Sequence, residues 1–113
     1  MSDQHLIDQL AQLSENINAV ATSHGFWENP NSGEKIALMH SELSEALESL
    51  RQEGWRHLKD QHCPNFCNVT VELADCVIRI LDFGEQLGLP VSDAIFAKHE
   101  YNKTRPHKHG KTF

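Results

Sequence analysis

MHSELSEALESL (residues 39–50) and VTVELADCVIRIL (residues 69–81) decide how the rest of the chain is read. Each holds an acid at i and another at i+3: Glu42 with Glu45, and Glu72 with Asp75. On a helix this spacing sets both side chains on one face, a turn apart. Apolar residues run beside them at three- and four-residue steps. In the first stretch and just before it these are Ile36, Met39, Leu43, Ala46, Leu47 and Leu50. In the second and beyond they are Val69, Leu73, Cys76, Val77, Ile80 and Leu87. Two amphipathic helices follow, each expected to turn its apolar stripe inward. At 100° per residue, Glu42 lies at the edge of the first stripe and Glu45 further out on the same side. Glu72 lies against the second stripe, with Asp75 just beyond it. If the helices pack through their stripes, all four acids meet at one end of the seam.

A carboxylate cluster at the edge of a core is costly without a cation against it. Four acids from two helices suit a hard divalent ion, Mg²⁺ before others. The plainer reading is a solvated acidic face. Glu48 continues the i, i+3 spacing on the first helix, and Arg79, one turn beyond Asp75, could simply form a salt bridge. The basic tail from Lys98 to Lys111 would suit a polyphosphate held by such a metal.

Further out, Leu6, Ile7, Leu10, Leu13, Ile17 and Val20 predict a first amphipathic helix that Gly25 ends. HGFWENPNSG (24–33) is rich in turn formers. The second helix is expected from about Gly33 to Glu53, with Ser32 as N-cap and Gly54 as its stop. GWRHLKDQHC (54–63) reads as a loop, partly helical, and Pro64 suits the first turn of the third helix. Gly88-Leu89-Pro90 breaks that helix. Ser92 is the expected N-cap of a fourth, running from about Asp93 to Thr104 before Pro106. The tail HKHGKTF reads as irregular. No segment alternates like a strand, so the expectation is a single all-α domain over residues 1–113, a four-helix bundle with antiparallel neighbours.

At 113 residues the chain can bury roughly 65% of its unfolded surface, a modest core that association would relieve. A formal charge of −6 argues against a nucleic-acid-binding surface. No apolar run approaches a membrane span, and MSDQHLIDQL lacks the pattern of a signal peptide. Three cysteines without a secretion signal point to a reducing cytoplasm.

Two readings from other classes stand beside the acidic site. Eight histidines and the pair Cys63/Cys67 suggest a zinc module from His57, His62, Cys63 and Cys67, at a spacing poor for that purpose. Alternatively the chain is a non-enzymatic helical interaction module whose acids only keep it soluble.

The order E-x-x-E, then E-x-x-D on the next helix, followed by KHEYNKTRPHKHGKTF (98–113), resembles the MazG-like all-α nucleoside triphosphate pyrophosphohydrolases. The resemblance spans about Glu34 to Phe113. It implies a four-helix-bundle-like MazG-type domain, assembled as a homodimer or a dimer of dimers. It further implies cleavage of nucleoside or deoxynucleoside triphosphates between the α- and β-phosphates, in housekeeping of the nucleotide pool. Glu42, Glu45, Glu72 and Asp75 would hold Mg²⁺, with Mn²⁺ as a substitute. Glu42 and Glu45 would be catalytic, Glu45 accepting a proton. Lys98, Asn102, Arg105 and Lys111 would bind the phosphates. Many members carry a further glutamate directly before the first motif glutamate; here that position is Ser41, which leaves the general base open. The base needs an apolar platform. Phe26 and Trp27 are the candidates, with Trp55 behind them, and His40, one turn before Ser44, is within reach of the nucleotide or a plain packed or surface histidine.

Overall fold

The computed structural model describes residues 3–29 and 31–112. Four helices follow one another: α1 (Asp3–Ser23), α2 (Ser32–Leu50), α3 (Asn68–Gln86) and α4 (Val91–Lys103). Short 3₁₀ turns occur at Trp55–His57 and His107–Gly110, the second within a tail expected to be irregular. Among the described residues there is no strand, and a single isolated bridge joins Lys59 to Cys67. The chain is all-α, as its periodicity predicts. Phe113, which closes the tail string, lies outside the described residues.

The ends of the elements differ from expectation for local reasons. Asn31, not Ser32, caps α2: its side-chain oxygen accepts the Glu34 N–H at 3.0 Å. Glu34 in the same first turn places negative charge against the helix N-terminus. The helix ends at Leu50, short of Glu53. Pro64 does not open α3. The Asp60 carboxylate accepts the N–H groups of His62 and Cys63, and Phe66 N–H donates to Cys63 O. The chain is thereby folded into a tight turn until Asn68, whose own N–H donates to Leu58 O at 2.7 Å. Ser92 is buried inside α4 instead of capping it, and Pro90 stands at the cap.

The central element is α3. α2 runs antiparallel along it: Ser49 meets Asn68 at one end, and Cys76 Sγ donates to Met39 O further along. α1 lies against the C-terminal half of α3, where Asn18 donates to Asp82 at 2.8 Å and to Gln86 at 3.0 Å. α4 returns over α1 and the end of α3. That return needs Gly84. A Cβ there would stand 2.5 Å from Val91 Cγ2 and 3.4 Å from Val91 Cβ.

The core is thin. Among the described residues the buried apolar side chains are Ala46, Val69, Cys76 and Leu81, and no large side chain is fully enclosed. The expectation that both stripes turn inward is therefore corrected. Ile36, Leu43, Leu47 and Leu50 of α2 are exposed, and so are Leu73, Val77, Ile80 and Leu87 of α3. Leu47 and Val77 each keep 52% of their surface open. Helical wheels set these two rows on adjoining sides of the α2–α3 pair, away from the acids. The acids take part in the contact between the helices, and much of the apolar surface is left outside it.

Candidate functional site

The two acid pairs meet across the α2–α3 contact. One carboxylate oxygen from each of Glu42, Glu45 and Glu72 lies within 4.8 Å of the others. Oxygens on one octahedral Mg²⁺ at about 2.1 Å stand roughly 3.0 Å apart when cis and roughly 4.2 Å when trans, so the three side chains would have to draw closer together to hold one ion. The donors are hard oxygens, as that ion prefers. Among the described residues this is the one convergent group of three or more such side chains. His57, His62, Cys63 and Cys67 form none. Cys63 is exposed, and Cys67 Sγ pairs with Thr70 Oγ1 at 3.1 Å.

Glu72 is half-buried among these acids. Its Oε1 accepts from Asn68 Nδ2 at 3.3 Å, while its Oε2 is buried with no hydrogen-bond partner. Burial, the crowding of Glu42 and Glu45 against it and the charge of Glu45 push its carboxyl from 4.5 up to about 7. A buried, unpartnered carboxylate oxygen beside two other acids could hold a cation, since an unmet buried acceptor is otherwise a net cost.

Asp75 does not join the triad. It lies beyond Glu72 on the flank of α3 and lines the neighbouring cavity. Burial first, then the charge of Glu42, raise its carboxyl above the usual range, and the Arg79 guanidinium opposes this. Arg79 pairs with Glu42: Nε donates to Oε1 at 2.9 Å.

Beneath the acids runs a polar network. Ser49 Oγ donates to Asn68 Oδ1. Asn68 Nδ2 donates to Asp60 Oδ1 at 2.9 Å as well as to Glu72. The Cys63 N–H above all, helped by the His62 N–H and the Asn68 amide, holds the buried Asp60 below the usual carboxylate range. Asn68 is thus fixed on three sides and presents its amide to Glu72. The sequence signal for it is an asparagine one turn before the motif glutamate. Nothing in the pattern reveals Asp60, because its role depends on how the loop folds back.

Beside the acids opens a cavity of about 520 Å³, lined by Phe26, Trp27, Lys35, Glu42, Asp75, Arg79 and Asp82 together with apolar residues of α1. This volume is of small-ligand size. Trp27 is held firmly: its indole N–H donates to both Asp82 oxygens at 3.1 and 3.0 Å, and its ring meets Phe83 at a tilt. Phe26 is 60% exposed. Lys35 Nζ donates to Phe26 O at 2.6 Å and sits 4.6 Å from the Trp27 ring centre. The two expected base platforms therefore share one cavity with Glu42 and Asp75. Trp55, stacked under Arg56, does not line it, nor does His40. Lys35 and Asp82 went unnoticed in the sequence, although Asp75, Arg79 and Asp82 recur at four- and three-residue steps along one helix face.

The basic residues of α4 and the tail do not line the cavity beside the acids. Lys98 and Arg105 both approach the Tyr101 ring, at 4.7 and 5.5 Å from its centre. Asn102 Oδ1 is buried without a partner. Lys111 follows the second 3₁₀ turn. None of the four lines the cavity. No family model matches the chain, and no curated protein or solved structure matches it either. No described helix is long and apolar enough to cross a membrane.

Proposed function

We propose that the chain is a MazG-like hydrolase of nucleoside or deoxynucleoside triphosphates, cleaving between the α- and β-phosphates to give a monophosphate and pyrophosphate. One observation carries this reading: carboxylates from two helices converge around a buried, unpartnered oxygen of Glu72, at the edge of a cavity with an anchored tryptophan. Glu42, Glu45 and Glu72 would hold Mg²⁺, or Mn²⁺ in its place. When bound, the ion supplies charge neutralisation at the phosphate, orientation of the α-phosphorus and a lowered pKa for water.

The rest of the chemistry belongs to side chains. Trp27 and Phe26 take the base by stacking, and Asp82 keeps the indole in position. A water oxygen attacks the α-phosphorus. The bond from that phosphorus to the bridging oxygen breaks, and its electron pair leaves with pyrophosphate. The water proton passes to a carboxylate of the site. Glu45 has this role in the family reading; Asp75, outside the triad and facing the cavity with a raised pKa, is as well placed.

The same reading makes the protein a cytoplasmic homodimer or dimer of dimers. The uncovered leucines, isoleucines and valine of α2 and α3 support a second copy as their cover. Lys98, Asn102, Arg105 and Lys111 would then serve phosphates across a subunit boundary, in keeping with their absence from the cavity of their own chain. Light scattering at micromolar concentration tests this part, and a monomer would refute it. The activity is tested by assaying pyrophosphate and monophosphate from a panel of nucleotides with Mg²⁺, beside Glu72→Gln. Paired release of both products that vanishes in the variant is the expected result. A folded, metal-loaded protein that releases neither would leave the helical interaction module as the better reading.

A further inference from the structure

Arg79 stands out from the other cations of the molecule. It lies one turn beyond Asp75 on α3 and lines the cavity with it. Its contact with Glu42 runs through Nε alone. An arginine that serves only to neutralise a carboxylate commonly grips it with two parallel hydrogen bonds. Here the terminal nitrogens, which carry four of the five N–H donors, make no hydrogen bond among the described residues. The side chain is 38% exposed while that of Glu42 is 12% exposed, so the buried end of the pair is the acid and the open end is the guanidinium.

The other cation of the cavity is committed elsewhere. Lys35 donates to Phe26 O and rests against the Trp27 ring, at the aromatic end. The tail cations do not line the cavity at all. Arg79 is therefore the cation with unspent donors that stands beside the acids. A planar fork is the shape that takes two oxygens of one phosphate at once.

We propose that Arg79 contacts the phosphate of the bound nucleotide directly, keeping Nε on Glu42 and giving its terminal nitrogens to the oxygens of the phosphoryl group next to the acid triad. This rests on the nucleotide reading above. It adds a positive group from the acidic helix itself, where the sequence places phosphate binding in the tail. It also couples the two ligands of the site. Glu42 is a metal-binding candidate on one side and the anchor of Arg79 on the other, so whatever fixes Glu42 also fixes the fork.

The test compares wild type with Arg79→Gln and Arg79→Lys by calorimetry, using three probes: Mn²⁺ alone, the α,β-methylene triphosphates of the four deoxynucleosides with Mn²⁺, and the uncharged deoxynucleosides. Arg79→Gln should weaken the tightest methylene analogue roughly 10- to 100-fold, the range for a lost charge-assisted contact. Mn²⁺ alone should stay within about threefold, and any nucleoside binding should be unchanged. Arg79→Lys should recover part of the loss, because it restores charge without the fork. Equal weakening of Mn²⁺ and analogue would overturn the proposal and leave Arg79 as a prop for Glu42. So would unchanged analogue affinity. Circular dichroism and melting curves exclude misfolding as the cause. A wild type that binds Mn²⁺ but none of the four analogues would refute the nucleotide reading itself, and the two failures are distinguished by which protein shows them.

Discussion

The two long faces of α3 were written by the same helical period and have ended differently. One carries Glu72, Asp75, Arg79 and Asp82. Asn18 of α1 and Trp27 donate to Asp82, Glu42 of α2 accepts from Arg79, and Asn68 of α3 itself donates to Glu72. The other carries Leu73, Val77, Ile80 and Leu87, and its own chain leaves all four exposed. The polar face finds partners within one chain for Arg79, Asp82 and one oxygen of Glu72, whereas the apolar face is covered only at its end, where Val91 closes on Gly84. In this fold the chain spends its internal contacts on holding charges in place. Many of its large apolar side chains stay exposed.

The largest expected effect would break the polar side of this contrast. Glu72→Gln removes the one acid, among the described residues, whose buried oxygen has no partner. Pyrophosphate release should fall by roughly a thousandfold or more, the scale of losing a preorganised charged group. It is read as initial rate at saturating Mg²⁺, and a loss below tenfold would mean the triad is not the reactive centre.

Val77→Lys tests the apolar side. If a second copy covers Leu73, Val77 and Ile80, a charge in their midst should weaken self-association by at least about a hundredfold, given that unpaired buried charges cost several kcal/mol. Sedimentation should then find monomer at concentrations where wild type is paired. Equal mass for both proteins would show that this face is not an interface.

Acidity sharpens the comparison next. The carboxyl of Glu72 is raised from 4.5 in the unfolded chain to about 7 in the folded one. Below pH 4.5 both states bind its proton and it contributes nothing. As pH rises from 4.5 to 7 the unfolded chain loses the proton first, so stability falls, and above 7 the loss is constant. Without metal, the melting temperature should therefore drop between pH 5 and pH 8, by the equivalent of at most about 3 kcal/mol. Mg²⁺ should restore it, and Glu72→Gln should flatten the dependence. A protein equally stable at both values would mean that the acids are not crowded.

The smallest effect is expected where the apolar face is already covered. Gly84→Ala forces a Cβ against a branched, stiff Val91. A loss of roughly 1–3 kcal/mol in chemical denaturation follows, with turnover per folded molecule unchanged. A neutral substitution would show that α4 is free to shift off α3.

The acid pairs and aromatics of the site were legible in the sequence because helical spacing and composition are local. Glu42, Glu45 and Glu72 converge, and Phe26 and Trp27 share a cavity with Glu42. What spacing does not specify is the crossing of α2 over α3. Glu72 and Asp75 are about 60° apart around their helix, so the crossing admits one to the triad and turns the other to the cavity. Periodicity likewise shows that Leu73, Val77 and Ile80 share a side but not what covers that side. The position of α4 depends on the turn at Gly88–Pro90, which spacing does not specify, and the tail cations expected at the site do not line its cavity. Asn31 and Ser32 are both good caps, and their choice turned on a single residue of register.

One amide ties three elements together. Asn68 takes the hydroxyl of Ser49 on α2, gives to Asp60 in the loop and gives to Glu72 at the triad. Its three partners can each be replaced only by a group of matching polarity, or the amide is stranded. Among related sequences Ser49, Asp60 and Asn68 should accordingly change as a set, with loops that lose Asp60 losing the asparagine as well. An engineer transplanting the acid triad to another helical pair would have to carry that loop along with it.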